Sequence, residues 1–208
     1  MGRPREHDES TATALLQAAE VLIAEEGPDG VSVRGVSEAA GTSTRAVYSL
    51  FGSRQGLLEA LAARGYHILI ELVDAVPQTN DPFRDLVSVG SKAFRTFAIE
   101  HPHLFRLTFE RVPSEILSTP EVKLAAKTSL DALLRHVDRA LDAGVITGNR
   151  IEIAYSFHAL SQGLAGGELS TEPPPVGSGM WSFAGFDMEQ VWESGLTALM
   201  TGMSPTRA

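Results

Sequence analysis

One stretch of this sequence, residues 30–61, constrains the fold more than any other part of the chain. Ser32 is a good N-cap for a first helix, whose apolar residues keep the spacing of one helix face up to residue 40. Gly41 follows where a helix end needs a left-handed residue, and a second, short helix is predicted over 44–50. Two helices joined by a tight glycine turn, with polar and cationic side chains on the second, fit the major groove of duplex DNA. The stretch therefore predicts a helix-turn-helix.

The second predicted helix supplies most of the side chains that would meet DNA. Val47 and Phe51 stand four residues apart and anchor its inner face, which leaves its polar residues pointing outward. Among these, Arg45 is the best candidate for guanine O6 and N7, whereas Tyr48 suits a phosphate contact. The predicted DNA-binding residues of this stretch are Ser32, Arg34, Thr42, Ser43, Thr44, Arg45, Tyr48, Ser49 and Arg54.

The charge of the chain favours DNA binding only in part of the sequence. The formal net charge is −9, which by itself argues against a partner that carries phosphate groups. Residues 30–58, however, contain three arginines and a single acid, Glu38, so the predicted DNA-binding face is locally positive. Composition alone leaves open that these arginines are ordinary surface charge. Arg3 and Arg5 form a basic arm ahead of the first helix, and this arm either lies in a minor groove or is a frayed terminus.

The segment GTSTRAVYSLFGSRQGLLEAL, residues 41–61, resembles the helix-turn-helix signature of TetR-type (tetracycline-repressor-like) transcriptional regulators. The resemblance covers residues 10–65, and arginine stands at position 54 where the family usually has lysine. Gln55 is a departure, because the family often has glutamate there, and Gly56 beside it lowers helix propensity. The resemblance implies a DNA-binding transcriptional regulator, more often a repressor than an activator.

The resemblance also implies an all-α fold in two domains. The first, residues 1–55, would be a homeodomain-like three-helix DNA-binding unit, and the second, residues 56–208, a helical bundle for effector binding and dimerisation. A supporting helix is predicted over 10–26, and Ser53 is predicted to cap a long helix that runs to about Val76. Because only the first part of that helix belongs to the DNA-binding core, a shift of its C-terminal half would tilt the recognition helix.

Aromatic residues are concentrated in the first part of the predicted second domain. Five of the nine phenylalanines lie between residues 83 and 109, and effector pockets are mostly apolar and aromatic. The same residues would also suit a plain helix-bundle core. Two histidines that flank Pro102 are too few for a metal site, so no metal or cofactor is expected. The predicted effector-binding residues are Phe94, Phe97, His101, Phe105, Phe109 and Trp181.

The last two predicted helices share one layout, an apolar stripe beside a stripe of small residues. Small residues let helices approach closely, and TetR-like proteins dimerise through their last two helices, which implies a homodimer. Packing within one chain is the alternative. The predicted dimerisation residues are Phe157, Leu160, Gly163, Leu164, Trp192, Leu196 and Leu199. Between the two helices, residues 171–186 are too rich in proline and glycine for a helix, and they would form a lid, an arm to the partner or a disordered segment.

Several classes of function are disfavoured by motifs that the sequence lacks. There is no cysteine, no glycine-rich phosphate loop, no HExxH and no GxSxG, so an enzyme is not expected. Neither a signal peptide nor a long apolar run is found, which predicts a cytoplasmic protein without a membrane partner. The leading hypothesis is a dimeric regulator that binds a palindromic double-stranded operator and is released by a small, largely apolar effector. An architectural DNA binder without an effector is the alternative.

Overall fold

The computed structural model describes residues 3–110, 119–170 and 187–205; most of these residues are helical, and none of them lies in a strand. The all-α prediction is therefore confirmed. The helices, in chain order, are α1 Arg3–Gly30, α2 Val33–Ala39, α3 Thr44–Phe51, α4 Arg54–Asp74, α5 Pro82–Ser88, the π-helix π1 Val89–Phe94, α6 Arg95–Glu100, α7 Pro102–Phe105, the π-helix π2 Arg106–Glu110, α8 Pro120–Asp142, α9 Arg150–Leu169 and α10 Met188–Gly202. None of the described helices is both long enough and apolar enough to cross a lipid bilayer.

Helix α1 begins at Arg3, seven residues earlier than predicted. The prediction that Arg3 and Arg5 form an arm ahead of the first helix is therefore wrong. Pro4 is tolerated in a first turn because the N–H that it lacks would have no partner there, and its φ already suits a helix. The acids Glu6, Asp8 and Glu9 follow, and negative charge near a helix N-terminus is favourable. The helical geometry is interrupted at Gly27, whose φ of 74° is left-handed.

The turn between α2 and α3 forms as the sequence predicts. Gly41 has a φ of 63°, and its N–H donates to the carbonyl of Glu38 at 3.1 Å. The N–H of Thr42 donates to the carbonyl of Ser37 at 2.9 Å. These two bonds form a Schellman motif, which satisfies the last carbonyls of α2 and reverses the chain.

The chain divides into two compact units, and the first consists of Met1–His67 and His103–Ala126. Its core contains Leu15 of α1, Val36 of α2 and Val47 of α3, each with no exposed surface. Leu57 and Leu61 of α4 are equally buried, so the start of the long helix completes the core of the DNA-binding helices as predicted. The predicted division into residues 1–55 and 56–208 separates two functions, DNA binding and effector binding, and it stays a prediction.

The second unit consists of Ile68–Pro102 and Lys127–Ala208. Helix π1 approaches α9 and α10 closely at Gly90, where an added Cβ would lie 2.5 Å from Leu196 Cδ1 and 2.9 Å from Phe157 Cζ. Only glycine fits this contact, because both neighbours are fully buried core side chains with little freedom to move. The close approach fixes the position of π1 within the unit.

The segment between α4 and α5 is held to α8 by Asp85. Its buried carboxylate accepts hydrogen bonds from the N–H of Thr79 at 2.7 Å, the hydroxyl of Thr79 at 2.8 Å and Arg139 Nη1 at 2.9 Å. Burial alone would raise the pKa of Asp85, but the hydrogen bonds from Thr79 and Arg139 outweigh it and hold the pKa below its usual value. Arg139 also donates to the carbonyl of Thr79 at 2.7 Å, so this segment has a defined path.

Candidate nucleic-acid interface

Helix α3 presents the face that the sequence predicts for DNA reading. Ser43 caps it, since its hydroxyl accepts a hydrogen bond from the N–H of Ala46 at 3.3 Å. Val47 is fully buried, while Tyr48 is 56% exposed. The polar residues Thr44, Arg45 and Ser49 are exposed as well. The structure thus brings four of the predicted DNA-binding side chains onto one solvent-facing surface.

Arg45 is the exposed cation of α3. No partner for its side chain is found among the described residues. Arg34 on α2 is also exposed, but its Nε donates to Glu38 Oε1 at 2.8 Å, and this hydrogen bond raises the pKa of Arg34. Because Glu38 is the single acid of residues 30–58, its pairing with Arg34 leaves the charge of Arg45 uncompensated.

The remaining residues of the predicted DNA-binding set differ in how much of each is available. The hydroxyl of Ser32 accepts from the N–H of Gly35 at 3.0 Å, so it caps α2 as predicted. Thr42 is half-buried and its N–H belongs to the turn. Arg3 and Arg5 lie in α1, and their side chains are outside the described part of the structure.

Arg54 has a structural contact that the sequence did not suggest. Its Nε donates to the backbone carbonyl of Val31 at 2.5 Å, and the side chain is half-buried. The start of α4 is thereby tied to the residue that precedes the cap of α2. Contact of Arg54 with a DNA phosphate stays a prediction.

Gly56 makes a close backbone contact that its low helix propensity does not indicate. An added Cβ would lie 2.0 Å from the carbonyl oxygen of Phe51, a backbone atom that cannot rotate away. The turn from α3 into α4 is tight because Gly52, with a φ of 73°, reverses the chain and Ser53 caps α4 through the N–H of Gly56 at 3.0 Å. A residue that lowers helix propensity is therefore required at position 56.

The predicted effector-binding residues divide between the two compact units. Phe94 and Phe97 are buried in the second unit, where the half-buried His101 lies 6.1 Å from Phe97 between ring centroids. Phe105 is buried in the first unit and lies 5.7 Å from Phe109. Trp181 and the rest of residues 171–186 are outside the described residues. A role for these residues in effector binding stays a prediction.

Tyr66 is a residue that sequence analysis missed. It is buried in the first unit, its hydroxyl donates to the carbonyl of Thr108 at 3.3 Å, and its ring meets that of Phe109 edge-on at 5.6 Å. Burial raises the pKa of Tyr66 above its ordinary value. Tyr66 thus joins α4 to π2, a type of helix that is frequent at functional sites.

Three of the predicted dimerisation residues have no surface to offer a partner. Phe157, Trp192 and Leu196 have at most 2% of their surface exposed, because they form the core between α9, α10 and π1 of the same chain. These three side chains pack within one chain, and a role in dimerisation for the predicted set stays a prediction. Leu160, Leu164 and Leu199 are half-buried, and Gly163 is exposed.

The exposed faces of α9 and α10 are different from the predicted apolar stripe. On α9 the exposed residues Ile151, Tyr155, Ala159 and Gly163 follow one another at intervals of four, and Tyr155 is 73% exposed. On α10 one exposed row at the same interval consists of small residues: Ser194, Ala198 and Gly202. Small residues of both helices are therefore at the surface of the chain, namely Ala159 and Gly163 on α9 and Ala198 and Gly202 on α10.

A polar network that no sequence motif indicated lies inside the second unit. Glu168 accepts hydrogen bonds from Arg95 Nη2 at 2.7 Å and from Trp192 Nε1 at 2.8 Å. The carboxylate of Glu168 raises the pKa of Arg95. The network ties α6 to the end of α9 and to the first turns of α10. These two helices precede and follow residues 171–186 in the chain.

The second unit also contains a surface cavity of about 200 Å³. Its walls come from the end of α4 and the residues that follow it, and from α5, π1 and α6. None of the five predicted effector-binding residues that the structure describes lines this cavity. It is therefore a second candidate place for a ligand, and one that the sequence did not indicate.

Two family models match the sequence. The model of the bacterial regulatory proteins of the tetR family matches residues 15–61, and the model of the tetracyclin repressor-like C-terminal domain matches residues 87–199. The first match covers all of α2 and α3 and parts of α1 and α4, and the second covers more than half of the chain. No curated protein matches the sequence.

Solved structures share the fold over nearly the whole chain. A protein of unknown function from Rhodococcus sp. RHA1 is 25% identical, with a TM-score of 0.74, over 94% of this chain and 95% of its own. The transcriptional regulator FadR from Bacillus subtilis, in complex with stearoyl-CoA, is 17% identical, with a TM-score of 0.73, over 91% and 98%. The TetR family transcriptional regulator PfmR from Thermus thermophilus is 16% identical, with a TM-score of 0.65, over 93% and 99%.

Proposed function

The chain belongs to the TetR family and is a DNA-binding transcriptional regulator, and we propose that it acts as a homodimeric repressor that a small-molecule effector releases from its operator. The observation that carries the proposal is the surface of α3, where Thr44, Arg45, Tyr48 and Ser49 are exposed around the buried Val47. A short helix held by packing, with an uncompensated arginine on its outer face, is suited to the major groove.

We assign two kinds of contact to this surface. Arg45 donates to guanine O6 and N7 and so specifies one position of each half-site, because its guanidinium matches these two acceptors. Tyr48 and the hydroxyls of Thr44 and Ser49 donate to phosphates and fix the register of the helix. Arg34 joins them after exchanging Glu38 for a phosphate.

A second copy of the chain is needed to read a palindrome. We propose that the copies meet through the exposed faces of α9 and α10, where Ile151 and Tyr155 supply apolar area, and Gly163, Ala198 and Gly202 allow close helix approach. Of the dimerisation residues predicted from the sequence, Gly163 belongs to this proposed interface, and the half-buried Leu160, Leu164 and Leu199 belong to its edge. Replacing Gly163 with arginine is expected to give a monomer in analytical ultracentrifugation, whereas Lys123→Glu on α8 leaves the dimer intact.

We also propose that binding of an effector releases the protein from its operator. Residues 54–67 of α4 lie in the first compact unit and residues 68–74 in the second, so one continuous helix has residues in both. A ligand that binds the second unit of one conformation better than that of another would shift the population and, through α4, the placement of α3. The FadR structure with stearoyl-CoA supports a ligand-responsive role for this fold.

Selection of bound DNA from a random pool by the full chain tests the function. We expect enrichment of a palindrome whose half-sites are about one helical turn apart, because two recognition helices related by a two-fold axis read opposite ends of one site. Enrichment of a single, non-repeated half-site would contradict the dimeric mode. Binding without any sequence enrichment would contradict the regulator and favour an architectural DNA binder.

A further inference from the structure

The surface cavity in the second unit is lined by both apolar and polar side chains. Leu72, Val76 and Ala93 are among its apolar lining residues, and Val76 and Ala93 are buried. Its polar lining residues, here called the rim residues, are the half-buried Ser88 and Thr96 and the exposed Lys92, and they stand four residues apart along the run from α5 through π1 to α6. The cavity is therefore amphipathic, with its polar groups gathered on one helical run.

The three rim residues can donate hydrogen bonds, and the ammonium of Lys92 can only donate. None of the three side chains has a hydrogen-bond or ion-pair partner among the described residues. Among the described residues, those that line the cavity include one cation and no carboxylate. Its polar side is thus complementary to an anion, which would accept from Lys92 and from the two hydroxyls.

The walls of the cavity are held in place by the contacts around them. On one side, Gly90 packs against Leu196 and Phe157, which fixes the backbone of π1 next to Lys92 and Ala93. On the other side, Asp85 and Arg139 hold Thr79, so the short segment after α4 that provides Val76 is anchored at its far end. A cavity that keeps its shape without a ligand loses less entropy when one binds.

The volume limits the size of the occupant. Drug-sized ligands fill pockets of about 300–1,000 Å³, whereas a cavity of about 150 Å³ accommodates benzene. The volume of about 200 Å³ therefore suits one ring or a short hydrocarbon chain that carries a single small anionic group.

We infer that the cavity is a binding site for a small monocarboxylate, whose apolar part lies on Leu72, Val76 and Ala93 and whose carboxylate accepts hydrogen bonds from Lys92, Ser88 and Thr96. The ligand of this site would be the effector, and only this identification rests on the proposed ligand-responsive function. It differs from the largely apolar effector expected from the sequence, because the cavity is lined by a cation and two hydroxyls.

Calorimetric titration of the full chain with benzoate, hexanoate and cyclohexanecarboxylate tests the site, with the amide of each acid as a neutral control of the same shape. We expect at least one acid to bind about tenfold more tightly than its amide, because only the carboxylate gains charge-assisted hydrogen bonds. The Lys92→Met variant keeps the aliphatic stem and is expected to lose this preference. Lys123→Met removes an exposed lysine of α8 and is expected to leave both affinities unchanged.

Equal binding of acid and amide, or an unchanged preference in Lys92→Met, would overturn the inference. So would the failure of all three acids to bind with a Kd below about 10 mM. As a second check, Ala75→Leu enlarges an exposed lining residue and is expected to weaken binding of acids and amides alike.

Fluorescence anisotropy on the selected operator separates the inference from the proposed function. If the acids bind as expected but leave operator affinity unchanged, the carboxylate site stands and effector release is contradicted. If the operator is bound but the acids show no preference over their amides, the carboxylate site is contradicted and the DNA-binding function stands.

Discussion

Gly56 and the carbonyl oxygen of Phe51 approach so closely that a Cβ at position 56 would lie 2.0 Å from that oxygen. The contact joins the last residue of α3 to the first turn of α4. The orientation of the recognition helix relative to the long helix therefore depends on a glycine that propensity alone would disfavour.

Replacing Gly56 with alanine is expected to lower the free energy of unfolding by about 1–3 kcal/mol, because the backbone must move to admit the added methyl group. Urea denaturation followed by helical circular dichroism measures this change. Gly167→Ala on α9 is the matched control, since nothing lies within 4 Å of its added Cβ and alanine favours a helix. A Gly56→Ala variant as stable as the wild type would contradict the close contact.

Removing the guanidinium of Arg45 is expected to weaken operator binding by about 1–3 kcal/mol and to relax the sequence preference at one position of each half-site. Anisotropy on the selected operator and on its single-base variants measures both effects. Arg84→Ala in the second unit changes the net charge equally and should leave the preference intact. An equal loss on every operator variant would instead make Arg45 a phosphate contact.

The Arg54→Ala variant separates a structural role from a DNA contact. It leaves the carbonyl of Val31 without its hydrogen-bond donor, so we expect the free energy of unfolding to fall by about 1–2 kcal/mol in the absence of DNA. Urea denaturation without DNA provides the measurement, and Arg34→Ala, which loses only an exposed pair with Glu38, is the control. Unchanged stability together with weaker operator binding would assign Arg54 to DNA alone.

The carboxylate of Glu168 is expected to stabilise the second unit through its hydrogen bonds with Arg95 and Trp192. The Glu168→Gln variant leaves the half-buried Arg95 without a carboxylate and should lower the free energy of unfolding by about 1–3 kcal/mol. Trp192→Phe loses the hydrogen bond from Nε1 and also part of a fully buried ring, so it should cost more, about 2–4 kcal/mol. Thermal and urea unfolding measure both losses, and a Glu168→Gln variant as stable as the wild type would contradict the contribution of the network.

The buried His136 is expected to make stability depend on pH. Burial, and then the positive charge of Arg139, lowers the pKa of His136 below 6.5, and its Nδ1 is buried without a hydrogen-bond partner among the described residues. Arg135 acts in the same direction, whereas Asp85 and Asp74 oppose it. Because the folded state prefers the neutral ring, its contribution to stability is present above pH 6.5 and is lost as the pH falls toward the lowered pKa.

Urea denaturation at several pH values between about 7.5 and 5 measures this dependence. The His136→Leu variant should lose less stability on acidification than the wild type. His67→Leu replaces an exposed histidine for which no such burial exists and should follow the wild type. Equal losses in wild type and His136→Leu would place the pH dependence elsewhere, for example at His158, whose pKa burial also lowers.

Local signals made the DNA-binding helices predictable from sequence. Ser32 and Ser43 cap the helices that follow them, and Gly41 takes the left-handed conformation, because caps and turns are decided by a few neighbouring residues. Helical spacing likewise placed Val47 inward and Arg45 outward. The same local reasoning placed the start of α1 too late, since it interpreted charged residues as an arm and overlooked that Pro4 suits a first helical turn.

The sequence by itself determined the all-α class, the helix-turn-helix and the outward face of α3, because each depends on residues within a turn or two of one another. Only the tertiary structure decided which neighbour each apolar stripe meets. Phe157, Trp192 and Leu196 have the spacing of an interface, but they pack on π1 and on each other, since periodicity fixes a face and not its partner. The cavity beside Lys92 and the contact of Gly56 with Phe51 are equally tertiary, because each depends on backbone positions that separate elements bring together.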